Sequence, residues 1–306
     1  MRIRGAISTR LLAAAALALF VAAKPAPTPP QSFPTPEAAV DALDAAVKSN
    51  DPNAVLAVFG SAAKDLVQSG DVVADKNRHD EFATDFAVAH RIERDGDAKA
   101  TLVYGSDDFP FPIPLVKSGA AWHFDSDAGR EEVLKRRIGR NELGAIQVCL
   151  AYVDAQREYA NTDGDKNGLF DYAQKILSTP GKRDGLYWPT EAGQPPSPLG
   201  ELVAQAQEQG YKYHGKPEPY YGYFYKVLKA QGPHASGGAY DYVVRGRMIG
   251  GFALVAWPAQ YGVSGIMTFE VNHDGVVYSK DLGDDTAKLA SEMTRYDPDA
   301  SWKKEE

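Results

Sequence analysis

A single cysteine among 306 residues excludes a disulfide framework within the chain and any cysteine-rich zinc or iron–sulfur centre. Six histidines stand at 79, 90, 123, 214, 234 and 273, and no two are four apart. With no H-E-x-x-H and no H-x-H, a zinc site has no support. The glycine signatures of nucleotide binding are missing: no G-x-G-x-x-G follows a strand, and no G-x-x-x-x-G-K-[ST] occurs. The turns around Ser236 and Ser264 lack the G-x-S-x-G elbow, so a serine nucleophile is unsupported. Basic charge is also scarce: 33 Lys and Arg face 41 Asp and Glu, a formal charge of −8. A general nucleic-acid binder needs a basic face, so that class is excluded. No segment repeats at a fixed period. What remains is an ordinary globular composition, 44% hydrophobic and 24% charged. The length allows two cores, since single cores stop growing at roughly 250–300 residues.

Residues 1–23 read as a secretory leader. Arg2, Arg4 and Arg10 precede an uncharged apolar run of 13 residues, Leu11 to Ala23, that ends in the small residues Val21-Ala22-Ala23. A membrane span takes about 20 apolar residues, so the run is short for an anchor. Its removal deletes three arginines and no acid, taking the formal charge from −8 to −11. The expected location is the periplasm or cell envelope, with no transmembrane span in the mature chain. Residues 24–34 form a Pro-rich spacer of polyproline-like extension.

From 35 the chain becomes periodic. Thr35-Pro36-Glu37 opens a helix over 36–49, with Ala39, Val40, Leu43, Ala46 and Val47 at helical spacing. A second helix follows Asp51-Pro52 and a third is expected over about 77–89. Strands are expected at 98–104, 111–117 and 121–124. Asp127 to Asn161 is the strongest helix in the chain. Val133, Leu134, Ile138, Leu143, Ile146, Leu150 and Val153 make its apolar stripe, weakened at Gly139 and Gly144. Cys149 reads there as a small core residue rather than a reactive thiol. Short helices at 171–177 and 197–210 precede strands from Tyr221, Tyr240, Gly250, Met267 and Val276, the last two joined at His273-Asp274-Gly275. The fold class is therefore α+β. A small N-terminal α+β domain spans 35–126, and residues 127–302 form a long helix packed on an antiparallel sheet. The first of these resembles the cone-shaped nuclear-transport-factor-two-like fold.

Three strings carry a wider resemblance: Ile138-Gly139-Arg140-Asn141-Glu142-Leu143, the run from Pro180 to Trp188, and the run from Gly250 to Ala256. Together they resemble a bacterial family of unknown function, domain-of-unknown-function family 2950, over about 33–302. That resemblance implies an exported bacterial protein and supplies no activity. Arg140-Asn141-Glu142, Ile146 and Ala155-Gln156-Arg157-x-Tyr159, followed by Tyr221-Gly222-Tyr223-x-Tyr225, resemble the stem and head of a type IV pilin or pseudopilin. The membrane half-helix of a pilin is missing, because Asp127 to Glu132 is charged.

Several places could carry function. Asp163, Asp165 and Asn167, with Gly168 and then Asp171, follow the start of a calcium loop, although Gln174 stands where a bidentate Glu is usual. The alternative is an exposed acidic turn, and Asp281, Asp284, Asp285 and the 297–299 segment are similar acidic clusters. Calcium is the one cofactor the sequence suggests. Lys182, Arg183, Asp184, Tyr187 and Trp188 mix charge and aromatics in a Gly/Pro-rich loop. They are a candidate ligand or partner contact, or else a loop pinned by buried rings. Lys135, Arg136, Arg137 and Arg140 form a basic patch on an acidic chain, either a solvated helix face or a contact for an anionic polymer or lipid head group. The dense tyrosines at 220–225 read as core packing or a sugar-stacking surface. Two functional readings follow. One is a non-catalytic envelope scaffold or binding module whose partner is an envelope protein or cell-wall component. The other is a periplasmic hydrolase or lyase using Asp184 with His214 or His234.

Overall fold

Side-chain caps start the N-terminal helices in the computed structural model, which describes residues 26–162, 168–191, 193–212 and 217–305. Thr35 accepts the Ala38 amide at 3.1 Å and begins α1 (Pro36–Lys48). Asp51 accepts Asn53 at 2.9 Å and begins α2 (Pro52–Phe59). After the short α3 (Lys64–Val67), Asp71 accepts the Ala74 amide at 3.0 Å and caps α4 (Val72–Val88). That helix starts ahead of the expected position because its cap precedes any apolar periodicity, and only Phe86 on it is buried.

The first sheet is antiparallel. It comprises β1 (His90–Asp95), β2 (Lys99–Tyr104), β3 (Phe109–Pro110), β4 (Leu115–Ser118) and β5 (Ala121–Phe124), in the order β1-β2-β4-β5 with β3 beside β2. Strand β1 was not expected, since five of its six residues are exposed and no alternation marks it. The strand expected over 111–117 is split, because Pro112 and Pro114 cannot donate to a ladder. Helices and sheet enclose one apolar cluster that includes Leu43, Val55, Phe59, Leu102, Leu115 and Phe124.

Helix α5 (Ser126–Thr162) runs unbroken for 37 residues, about 55 Å at 1.5 Å per residue. Its first turns lay Val133 and Leu134 on that N-terminal cluster. The later turns pack on a second cluster through Ala145, Cys149, Tyr152, Val153 and Tyr159. The expected stripe is thus rotated: Leu143 is 65% exposed and Leu150 42% exposed. Small and polar residues hold the inner face instead, because the helix lies close against its neighbours. A Cβ on Gly144 would stand 2.7 Å from the Tyr221 ring. Asn141 donates to the Ser264 carbonyl at 2.8 Å, and Glu142 accepts the amides of Ile266 and Met267, each at 3.0 Å.

Beyond α5 come α6 (Gly200–Glu208), β6 (Tyr223–Leu228), the paired segments β7 (Ala230–Gln231) and β8 (Tyr240–Asp241), and the pair β9 (Val243–Val244) and β10 (Arg247–Met248). They are followed by β11 (Ala253–Pro258), β12 (Met267–Asn272), β13 (Val277–Asp281), α7 (Thr286–Glu292) and β14 (Lys303–Lys304). The second sheet has the antiparallel order β14-β13-β12-β11-β6. Helix α5 covers the face bearing Phe269 and Val271, and α7 covers the other. The architecture is α+β, with the long helix on the C-terminal sheet as expected. Residues 171–177 are not the short helix that their pattern suggested. The Gln156 carboxamide accepts from Ala173 N and donates to Ala173 O, both at 2.8 Å, and pins the segment extended, with Tyr172 bridging Met248 and Leu177 bridging Tyr187. Among the described residues no helix is long and apolar enough to cross a membrane.

Candidate functional site

Where α1, α2, α4, the β2–β3 turn and the first half of α5 converge, they leave a cavity of about 490 Å³. Its apolar wall comes from Leu43, Val47, Val55, Phe59 and Val67, with Phe82 and Phe111 completing it. The rings interlock: Phe82 stands 5.6 Å from Phe111 and 5.0 Å from Tyr104 between centroids. Four arginines line the same space, Arg78 from α4 and Arg136, Arg137 and Arg140 from α5. Glu81, Asp85 and Asp107 line it too.

The arginines are unequal. Arg137 is 3% exposed. Its two terminal nitrogens are used, Nη1 donating to the Asp65 carbonyl at 2.6 Å and Nη2 to that of Leu66. Its Nε has no acceptor among the described residues. Burial, then the charges of Arg78 and Arg140, lower its pKa to about 10, so it stays charged at neutral pH. Arg136 donates Nε to Glu132 at 2.6 Å and lies 4.7 Å over the Phe109 ring, while its Nη1 is buried without an acceptor among the described residues. Arg78 stands 3.5 Å from Asp75 and is lowered by burial and then by the charge of Arg140. A buried donor left unmade costs about 1–3 kcal/mol, and like charges held together add to that cost. An anion entering the cavity would offset the like charges.

The loop candidates sit elsewhere. Asp184 accepts from Thr179 N at 2.7 Å, Thr179 Oγ1 at 2.9 Å and Lys175 Nζ at 2.7 Å. Burial would raise its pKa, but these donors outweigh that and hold it at about 2. Arg183 lies 5.3 Å over the buried Trp188 ring, and its carbonyl accepts the Tyr159 hydroxyl at 2.8 Å. The Tyr187 amide bonds Ile176 O at 2.9 Å, and Lys182 closes a turn on Thr179 at 2.8 Å. The five residues are brought together as a loop anchored to the core by its rings. His234 pairs with Asp297 at 3.1 Å rather than with Asp184, and His214 lies outside the described residues. Asp163, Asp165 and Asn167 of the calcium-like loop also lie outside them, whereas Asp171 accepts from Arg247 Nε at 3.1 Å. Among the described residues no group of three His, Cys, Asp or Glu side chains could hold a metal ion.

Sequence reasoning found the α5 half of the arginine cluster as a basic patch and missed Arg78 and the cavity. The only available signal was Arg-Arg at 136–137 inside an otherwise apolar-periodic helix. It also missed Glu270, which is fully buried on the α7 face of β12 with no hydrogen-bond donor to either carboxyl oxygen among the described residues. Burial first, then the charges of Asp297 and Asp299, push its pKa up to about 8, while the nearby Asp297 amide and the charge of Lys280 pull the other way.

A family model described as Protein of unknown function (DUF2950) matches residues 30–305. No curated protein matches the chain, and no solved structure does.

Proposed function

We propose, from the premise that this chain belongs to the DUF2950 family of proteins of unknown function, that it is a binding module for a small anion with an apolar body. The observation that carries this reading is the set of four arginines, the buried Arg137 among them, that line the cavity beside its apolar wall. The apolar body would fill the space between Val47, Phe59, Phe82 and Phe111, while the head group pairs with the positive charge that Arg78, Arg136, Arg137 and Arg140 bring to the cavity. Each charge-assisted bond is worth about 1.5–3 kcal/mol, enough to make the head group decisive for affinity. The leader-like residues 1–23 support action in the periplasm or envelope. There the module would act alone or deliver its ligand to an envelope protein or wall component.

Calorimetry with a medium-chain carboxylate and the uncharged amide of the same chain tests the idea. The carboxylate should bind at least tenfold more tightly, about 1.4 kcal/mol, and Arg136→Gln should narrow the gap. Equal binding of the two compounds, or binding of neither, refutes the reading. The alternative, a hydrolase or lyase, has the His234–Asp297 contact of 3.1 Å in its favour. It requires turnover that His234→Ala abolishes.

A further inference from the structure

Helix α5 has a solvent face with an order of its own. Arg140, Leu143, Gln147, Leu150 and Asp154 are all exposed, and they recur at alternating intervals of three and four residues. That is the spacing of a coiled-coil seam, and it lies opposite the face that buries Ala145, Cys149 and Tyr152. Leu143 and Leu150 form the apolar centre, at 65% and 42% exposure. The charges are polar along the axis: Arg140 stands seven residues before Gln147 and Asp154 seven residues after it.

We propose that two copies of the chain pair antiparallel through this face, about a twofold axis at Gln147. A parallel pair would set Arg140 against Arg140 and Asp154 against Asp154. The antiparallel pair sets each Arg140 against the other copy's Asp154 and brings each Leu143 within one residue, about 1.5 Å along the axis, of the other copy's Leu150, so both halves of the seam are satisfied at once. Asp154 is free to take that role. Its side chain is 80% exposed, and its ion pair is a distant one to Arg157 at 3.6 Å. The seam covers about 21 Å of helix about 10 Å wide, roughly 200 Å² per partner, which is small beside the roughly 800 Å² per partner of a standard interface. The association is therefore weak and concentration-dependent, of the kind that high local concentration promotes.

Sedimentation equilibrium across a wide concentration series tests the proposal. The average mass of the wild type should climb from one chain toward two. Asp154→Arg and Arg140→Asp should each stay monomeric, with circular dichroism unchanged. An equimolar mixture of these two variants should associate again, because R140D offers the carboxylates that D154R lacks and the reverse. The double variant should associate by itself. A wild type that remains monomeric throughout overturns the proposal. So do single variants that pair as well as the wild type, or a mixture that does not pair. Recovery in the mixture cannot arise from damaged folding.

Discussion

Replacing Glu270 by glutamine should remove most of an alkaline loss of stability in this protein. The carboxyl is fully buried, and its folded pKa of about 8 lies above the ordinary 4.5. A raised carboxyl means that the unfolded chain releases its proton first. Stability is then highest at low pH and falls as pH rises from the unfolded value toward the folded one. At 1.36 kcal/mol per unit, the interval from about pH 5 to about pH 8 removes about 3–4 kcal/mol through this group alone. That is a large share of the roughly 5–15 kcal/mol that holds a domain together. Urea unfolding at several pH values, followed by tryptophan fluorescence, measures it. The Glu270→Gln variant carries no proton to release, so its stability should vary far less over that interval. Its absolute stability at acid pH should fall by about 1–3 kcal/mol, because the new amide donors are themselves unpaired. The informative quantity is therefore the slope with pH. Equal slopes for the two proteins would refute the reasoning and mean that the carboxyl reaches water.

Three other outcomes follow from the packing. Gly144→Ala should destabilise the protein by about 1–3 kcal/mol in thermal melts, because the added methyl meets the Tyr221 ring; the usual helix gain of about 1 kcal/mol for Ala over Gly would not offset it. Asp71 is buried and accepts Ala74 N at 3.0 Å, Tyr211 Oη at 2.8 Å and Gly222 N at 3.0 Å. Asp71→Ala strands those donors, so it should cost about 2–4 kcal/mol in urea unfolding. Thr35→Ala removes the α1 cap and should lower stability by about 1 kcal/mol, visible as a small drop in Tm.

The parts of the fold legible in the sequence were those governed by local chemistry. Thr35 and Asp51 announce α1 and α2 through their own side chains. The hairpin at His273-Asp274-Gly275 is legible because Gly275, at φ +79°, takes the conformation that the turn needs. Helix α5 was legible in extent and misread in direction. Its leucines suggested one inner face, but Asn141, Gly144, Ala145 and Gln156 allow a closer approach than Leu143 and Leu150 would. Strand β1 was hidden because its side chains face water. The extended 171–177 segment depends on Gln156, a partner on another element. The cavity was least legible of all, since Arg78 and Arg137 are distant in sequence and meet only when α4 and α5 pack.

Because one uninterrupted helix serves both cores, its length acts as a phase setting between them. Inserting a single residue between Arg140 and Ala145 would turn everything downstream by about 100° and slide it by about 1.5 Å. Either Arg137 would leave the Asp65 and Leu66 carbonyls, or Tyr152 would leave the sheet. Loops elsewhere can absorb such insertions. Along this stretch the residue count is itself a structural constraint, as strict as any side chain.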